Sequence, residues 1–190
     1  DDARLTVLNA ADAKKLGGNI NTRTMVKNME QKKGVWNIEV MNTISNEAKY
    51  VQAKVVVNAT GPWVDNFLKN HSKQTKIDNV RLVKGSHIVV KKLFNHSYAY
   101  IFQNSDGRVF FAVPWENEFT FIGTTDVDFK DNLDSFSASD DEINYLCKSA
   151  NQYFRSGISS NDVIKHWSGV RPLYHDGSIK AQKASRDYII

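Results

Sequence analysis

The spacing of apolar positions changes several times along this chain, and each change predicts an element. Leu5, Leu8 and Ala11 recur at helical spacing behind Asp1 and Asp2, and Gly17-Gly18 supplies a stop, so the chain opens with a helix. A strand is expected over residues 20–27, followed by a polar turn ending at Gly34. Residues 35–42 alternate, with Trp36, Ile38 and Val40 on one face, as in a half-buried strand. Residues 50–58 contain Val55, Val56 and Val57 in succession, which predicts a strand covered on both sides. That run breaks at Asn58-Ala59-Thr60-Gly61-Pro62-Trp63. Val64, Phe67 and Leu68 then continue from Trp63 as a short helix, with Pro62 near its first turn.

From residue 70 to 79 the chain turns polar, and a boundary is placed there. Beyond it, strands are expected over 81–90, 98–103, 108–115 and 118–125, joined in part by Asn104-Ser105-Asp106-Gly107 and Glu116-Asn117. That order reads as an antiparallel meander, with Pro114 at a strand end or edge. Ser139-Asp140-Asp141-Glu142 forms a capping box for a helix whose inner face carries Ile143, Leu146, Cys147 and Ala150. Residues 163–167 resume the sheet, Ser168-Gly169-Val170-Arg171-Pro172-Leu173 follow, and a last strand begins at Arg186. The whole is an α+β (mixed α/β) chain.

The stretch RLVKGSHIVV, residues 81–90, is unusual for a buried strand. Alternation puts Lys84 and Ser86 on one face with Leu82, Ile88 and Val90, and His87 on the other with Val83 and Val89. Gly85 in mid-strand marks a bulge or a close approach by another group. By residue type alone, His87 reads as a core histidine satisfied by a carbonyl; the alternative is that this strand lines a site.

Composition narrows the classes. The chain has 190 residues, 41% of them hydrophobic, a formal charge of +4 and a pI near 9.0. Its densest basic runs, Lys32-Lys33 and Lys91-Lys92, are too short for a nucleic-acid stripe. A single cysteine, Cys147, allows no intramolecular disulfide and reads as core. No apolar run approaches the ~20 residues of a membrane span, and no signal-peptide pattern is present. Starting at Asp1 and stopping inside a β-run, the chain is expected to be a piece of a longer protein.

Several residues could carry chemistry. A buried strand leading through Ala59, Thr60 and Gly61 into a helix N-terminus suits close approach to a phosphate, or is an ordinary turn. Arg171, between Gly169 and Pro172, is placed near a strand end, with Arg186 entering the sheet beside it. Two such arginines would suit a phosphate dianion; the alternative is structural pairing with Asp126 or Asp187. Thr124, Thr125 and Asp126 could orient a hydroxylated ligand or cap a turn. The histidines at 71, 87, 96, 166 and 175 show no metal-ligand spacing, so no metal is expected.

Taken together, VVNATGPW, RLVKGSHIVV, PW followed by FIGTTD, SGVRPL and SRDY resemble the FAD-dependent, quinone-linked (aerobic) glycerol-3-phosphate dehydrogenases, along essentially the whole chain. The resemblance implies the middle of a Rossmann-like FAD domain over 1–62, a short helix and linker over 63–79, and most of a substrate domain over 80–190. It implies oxidation of sn-glycerol 3-phosphate to dihydroxyacetone phosphate, with hydride passed to FAD and electrons to a quinone. A cytoplasmic location peripheral to the inner membrane follows from the same resemblance. Carried over by position, Ala59, Thr60 and Gly61 bind cofactor, while His87, Thr124, Arg171 and Arg186 surround substrate. His87 then serves as base or hydroxyl-orienting group, and Arg171 holds phosphate or steadies a developing alkoxide. The glycine-rich fingerprint and the C-terminal segment of the family are absent, so the piece alone is expected to be inactive and to hold FAD weakly. Competing readings are an amino-acid or secondary-amine oxidase of the same architecture, and a non-catalytic interaction module.

Overall fold

The computed structural model describes residues 2–71, 77–175 and 177. They form two compact units, one running to Asn58 and the other beginning at Ala59.

In the first unit, α1 (Asp2–Lys15) carries Asp2 in its first turn and Lys14 and Lys15 in its last, which suits the helix dipole. Leu5 and Leu8 stay exposed, so its apolar spacing covers nothing among the described residues. Three antiparallel strands follow, β1 (Thr24–Lys32), β2 (Val35–Asn42) and β3 (Ala48–Ala53), with β2 central. β1 lies further along the chain than the expected 20–27. Lys33 and Gly34 both take positive φ, 50° and 80°, and make a two-residue hairpin turn. The turn sets the register, pairing polar Asn28 with Glu39 and Lys32 with Val35 after a bulge between Val26 and Asn28.

The doubly covered strand expected over 50–58 does not form. β3 ends at Ala53, and Val55 and Val57 are 75% and 82% exposed. No described strand pairs with residues 54–58. An apolar run becomes the inside of a sheet only where neighbours satisfy its backbone.

The second unit opens with a 3-10 turn, Gly61–Trp63, leading into α2 (Val64–His71). Asp65 Oδ2 accepts from the backbone N–H groups of Asn79 and Val80, at 3.0 and 3.1 Å, which ties α2 to the start of β4 (Val80–Lys91). The sheet then contains β5 (Tyr100–Gln103), β6 (Val109–Trp115), β7 (Phe119–Gly123), β8 (Val127–Asp128) and β9 (Lys165–Tyr174), all antiparallel. The meander expectation needs one correction: β4 lies beside β7, not β5, in the order β5-β6-β7-β4-β8. β4 is shared by three partners. One edge pairs with β7 from His87 onward and with β8 at Val83 and Lys84; the other pairs with β9 from Val80 to Val89. Residues 168–173, expected to follow the resumed strand, are instead the middle of β9. Pro172 is tolerated there because, among the described residues, β9 bonds only to β4.

α3 (Asp140–Asn151) covers one face of this sheet, started by the expected capping box at Ser139 and Glu142. Ile143, Leu146, Cys147 and Ala150 pack on Ile88, Val90, Phe110, Ala112 and Ile122. Each of the large side chains contributes about 1.5–3 kcal/mol by leaving water. Cys147 is core, and burial, aided by Asp162, raises its thiol pKa. The opposite face is open, with Phe111, Trp115 and Trp167 each more than a third exposed.

Candidate active site

The open face is built on β4. His87 lies opposite Gly123 in β7 and Trp167 in β9. Its ring stacks on Phe121, with centroids 4.7 Å apart, and Phe121 stacks on Trp167 at 4.9 Å. A Cβ at Gly123 would run into the His87 ring, so that glycine lets the imidazole lie across β7. His87 Nδ1 is buried and finds no hydrogen-bond partner among the described residues. The carbonyl-satisfied core histidine is therefore not what this strand holds. Burial and, second, the charge of Arg171 lower the His87 pKa from 6.5 to about 4, so the imidazole is neutral at neutral pH.

Arg171 projects from β9, opposite Val83, and its guanidinium crosses β4 above Gly85. On the far side Nη2 donates to Thr124 Oγ1 at 2.8 Å, and Nη1 donates to Asp126 Oδ1 at 3.1 Å. The Thr124 hydroxyl itself donates to the Thr125 carbonyl at 3.0 Å. A Cβ at position 85 would collide with both Nη atoms and with Thr124 Oγ1. The pairing with Asp126 weighed from the sequence is thus present, yet the Arg171 side chain keeps 28% exposure on the open face. A partly wet guanidinium can hold an anion, and a neutral imidazole on the same face can accept a proton from a neighbouring hydroxyl.

Three expected site residues, His87, Thr124 and Arg171, therefore meet on one face. Arg186 lies outside the described residues. Ala59 and Thr60 are exposed, and Gly61 takes φ +58°, a conformation that favours glycine, in a turn that packs against β9. Sequence reasoning missed the aromatic wall of Phe121 and Trp167, and the gap that Gly123 leaves for His87. The only signal for the latter was a glycine closing an apolar strand.

It also missed what lies behind the site. Glu142 is 5% exposed, and it receives Ser86 Oγ, Thr125 Oγ1, Ser139 N and Lys84 Nζ at 2.7 to 3.0 Å. Burial alone would raise its pKa, but these donors outweigh it and hold the carboxyl near 2, down from 4.5. A depressed carboxyl stabilises the fold fully above its ordinary pKa and loses that contribution as pH falls from 4.5 toward 2, by roughly 3 kcal/mol over the whole window. Urea unfolding should show Glu142→Gln well below the parent at pH 7, with the gap closing below pH ~4.5. A gap independent of pH would contradict this account.

A family profile described as FAD dependent oxidoreductase matches residues 1–190. Among curated relatives, D-erythritol 1-phosphate dehydrogenase of Brucella abortus is 41% identical over 189 residues, covering 100% of this chain and 38% of its own length. Aerobic glycerol-3-phosphate dehydrogenase of Escherichia coli is 40% identical over 190 residues, with the same two coverages of 100% and 38%. The glycerol-3-phosphate dehydrogenase of Bacillus halodurans, solved with FAD, superposes with a TM-score of 0.82 at 31% identity, over 94% of this chain and 36% of that one. An L-α-glycerophosphate oxidase from Mycoplasma pneumoniae shares the fold, at a TM-score of 0.65 and 18% identity over 86% of this chain and 42% of that one. The chain spans about 38% of the length of the curated relatives it matches. Matched from its first residue to its last, the chain belongs to the FAD dependent oxidoreductase family.

Proposed function

We propose that this chain supplies the substrate face, and part of the flavin cradle, of a flavoprotein that oxidises sn-glycerol 3-phosphate to dihydroxyacetone phosphate. The observation that carries the reading is the guanidinium of Arg171 laid over Gly85, close enough to the neutral imidazole of His87 for its charge to act on that ring. A phosphate ester of a secondary alcohol asks for that combination: a cation for the anion, and a neutral base for the hydroxyl.

The open face also fits a flat cofactor. It presents aromatic walls, two glycines and an orphaned buried nitrogen where a covered sheet would carry branched side chains. FAD, when bound, supplies the two-electron acceptor for the hydrogen on the carbinol carbon. Ala59, Thr60 and Gly61 are the residues of this chain proposed to approach it. Arg171 binds the phosphate or steadies the alkoxide, Thr124 orients the guanidinium and the substrate, and His87 takes or orients the hydroxyl proton. Arg186 is proposed as a second phosphate ligand. Electrons then pass to a quinone, with the whole protein at the cytoplasmic periphery of the inner membrane. No helix among the described residues is long and apolar enough to cross a membrane.

The 41% identity to an erythritol-phosphate dehydrogenase supports a second reading, a four-carbon polyol phosphate. Both substrates share the phosphate and the secondary alcohol that His87 and Arg171 address. The test is the anaerobic visible spectrum of the full-length protein, with each phosphate ester added in turn. Bleaching of the oxidised-flavin band by sn-glycerol 3-phosphate supports the first reading. Bleaching by D-erythritol 1-phosphate alone selects the second. Bleaching only by sarcosine or D-alanine, or by nothing, rejects both.

A further inference from the structure

We propose that Glu142, on the covered side of the sheet, is a positioning residue for the Arg171 guanidinium on the open side. The inference rests on the reading that Arg171 holds the substrate's anion.

A helix cap needs one carboxylate oxygen, and Glu142 Oε2 supplies it by accepting from Ser139 N at 3.0 Å and Ser139 Oγ at 3.1 Å. Oε1 is engaged elsewhere. It accepts from Thr125 Oγ1 and Ser86 Oγ, each at 2.7 Å. Ser86 Oγ also meets Ser168 Oγ at 2.7 Å, which brings β9 into the same cluster. Thr125 is stitched to β4 at this point. Its hydroxyl accepts from Ser86 N at 2.9 Å, and its N–H donates to the Ser86 carbonyl at 3.3 Å.

Thr125 therefore sits in the break between β7 and β8, held to β4 by its own backbone and by the carboxylate behind it. Its carbonyl faces the site. There it accepts from Thr124 Oγ1 at 3.0 Å and, at 3.5 Å, from Arg171 Nη1. Thr124 Oγ1 in turn receives Arg171 Nη2. Two hydrogen bonds thus separate Glu142 from the guanidinium, one to the hydroxyl of Thr125 and one to its carbonyl. Such a connected, buried network specifies one geometry, and a guanidinium fork is sensitive to small displacements. Ser86 is also the neighbour of both Gly85 and His87, so the same anchor fixes the strand under the guanidinium and beside the base.

The test uses the full-length, FAD-loaded protein and three variants: Glu142→Gln, Thr125→Val and Thr125→Ser. Glu142→Gln strands the Lys84 ammonium and can lower folded yield, so Thr125→Val reads the same link without disturbing that pair. Calorimetry with dihydroxyacetone phosphate, which binds without turnover, should show Thr125→Val weakened about tenfold, the weight of one charge-assisted hydrogen bond. Thr125→Ser should restore it. In an Arg171→Ala background, Thr125→Val should cost no further affinity. NMR titration of His87 should show its midpoint moving up from about 4 in Thr125→Val, because the displaced guanidinium no longer opposes protonation. Parent-like affinity and an unmoved His87 in Thr125→Val overturn the inference, whatever its melting temperature; so does a loss that adds fully to that of Arg171→Ala. Should the parent protein itself fail to bind the phosphate ester, the proposed function falls. The His87 midpoint then decides the positioning role alone.

Discussion

Replacing Arg171 with alanine in the full-length protein is expected to lower kcat/KM for the phosphate ester by about 10²–10³-fold, the range for removing one preorganised electrostatic donor. Two losses combine. The anion loses its proposed cation, and Asp126, whose side chain is only 12% exposed, loses the guanidinium that pairs with it. Arg171→Lys should recover only part of the rate. An ammonium keeps the charge but cannot reach Thr124 and Asp126 at once with a planar fork. Steady-state kinetics on the three proteins decide it, and normal turnover with normal affinity in Arg171→Ala would remove the central assignment. The neutral imidazole of His87 should meanwhile become easier to protonate, since one of the two causes lowering its pKa is gone.

Gly85→Ala is expected to be nearly as damaging to activity while costing the fold little. The added methyl would occupy the space of the Arg171 Nη atoms and Thr124 Oγ1. These are ends of side chains, so the protein can accommodate the methyl by moving them. In the strand itself, alanine costs less than glycine by about 0.5–1 kcal/mol. That gain offsets part of the cost of pushing the guanidinium off its two partners, so the melting temperature should fall only modestly. The double variant Gly85→Ala/Arg171→Ala should be no worse than Arg171→Ala, because both remove the same interaction. A fully active Gly85→Ala protein would show that Arg171 need not cross β4 to work.

These residues also show where sequence reading succeeds and where it stops. Gly85 and His87 stood out because a buried strand has no local reason to contain them, and the structure gives each a neighbour that explains it. The strands β4 to β7 were legible from their composition and turns, and α3 from its cap; β8 and most of β9 were not. Pairing was not. That β4 lies beside β7 rather than β5 is a non-local choice, and nothing in the period of either strand announces it. Glu142 was visible as a capping residue, but its second oxygen reaches residues 17 and 56 positions away. Arg171 was placed near a strand end because glycine and proline flank it. A strand bonded along one edge accepts both. Val55 and Val57 show the opposite error, since an apolar run states a preference for burial without saying what will bury it.

The sharing of β4 among three partners implies that the two halves of the site do not come apart together. His87 and Gly85 belong to a strand paired along both edges, the kind of segment whose amides exchange with solvent only when the whole domain opens. Thr124 and Asp126 belong to the short link between β7 and β8, and Arg171 to a strand bonded on one side among the described residues. Such pieces exchange through smaller, cheaper openings. In mild denaturant the hold of Thr124 and Asp126 on the guanidinium would loosen first, while His87 stayed on its aromatic wall, so affinity for the proposed substrate would fade before any change in secondary structure could be seen.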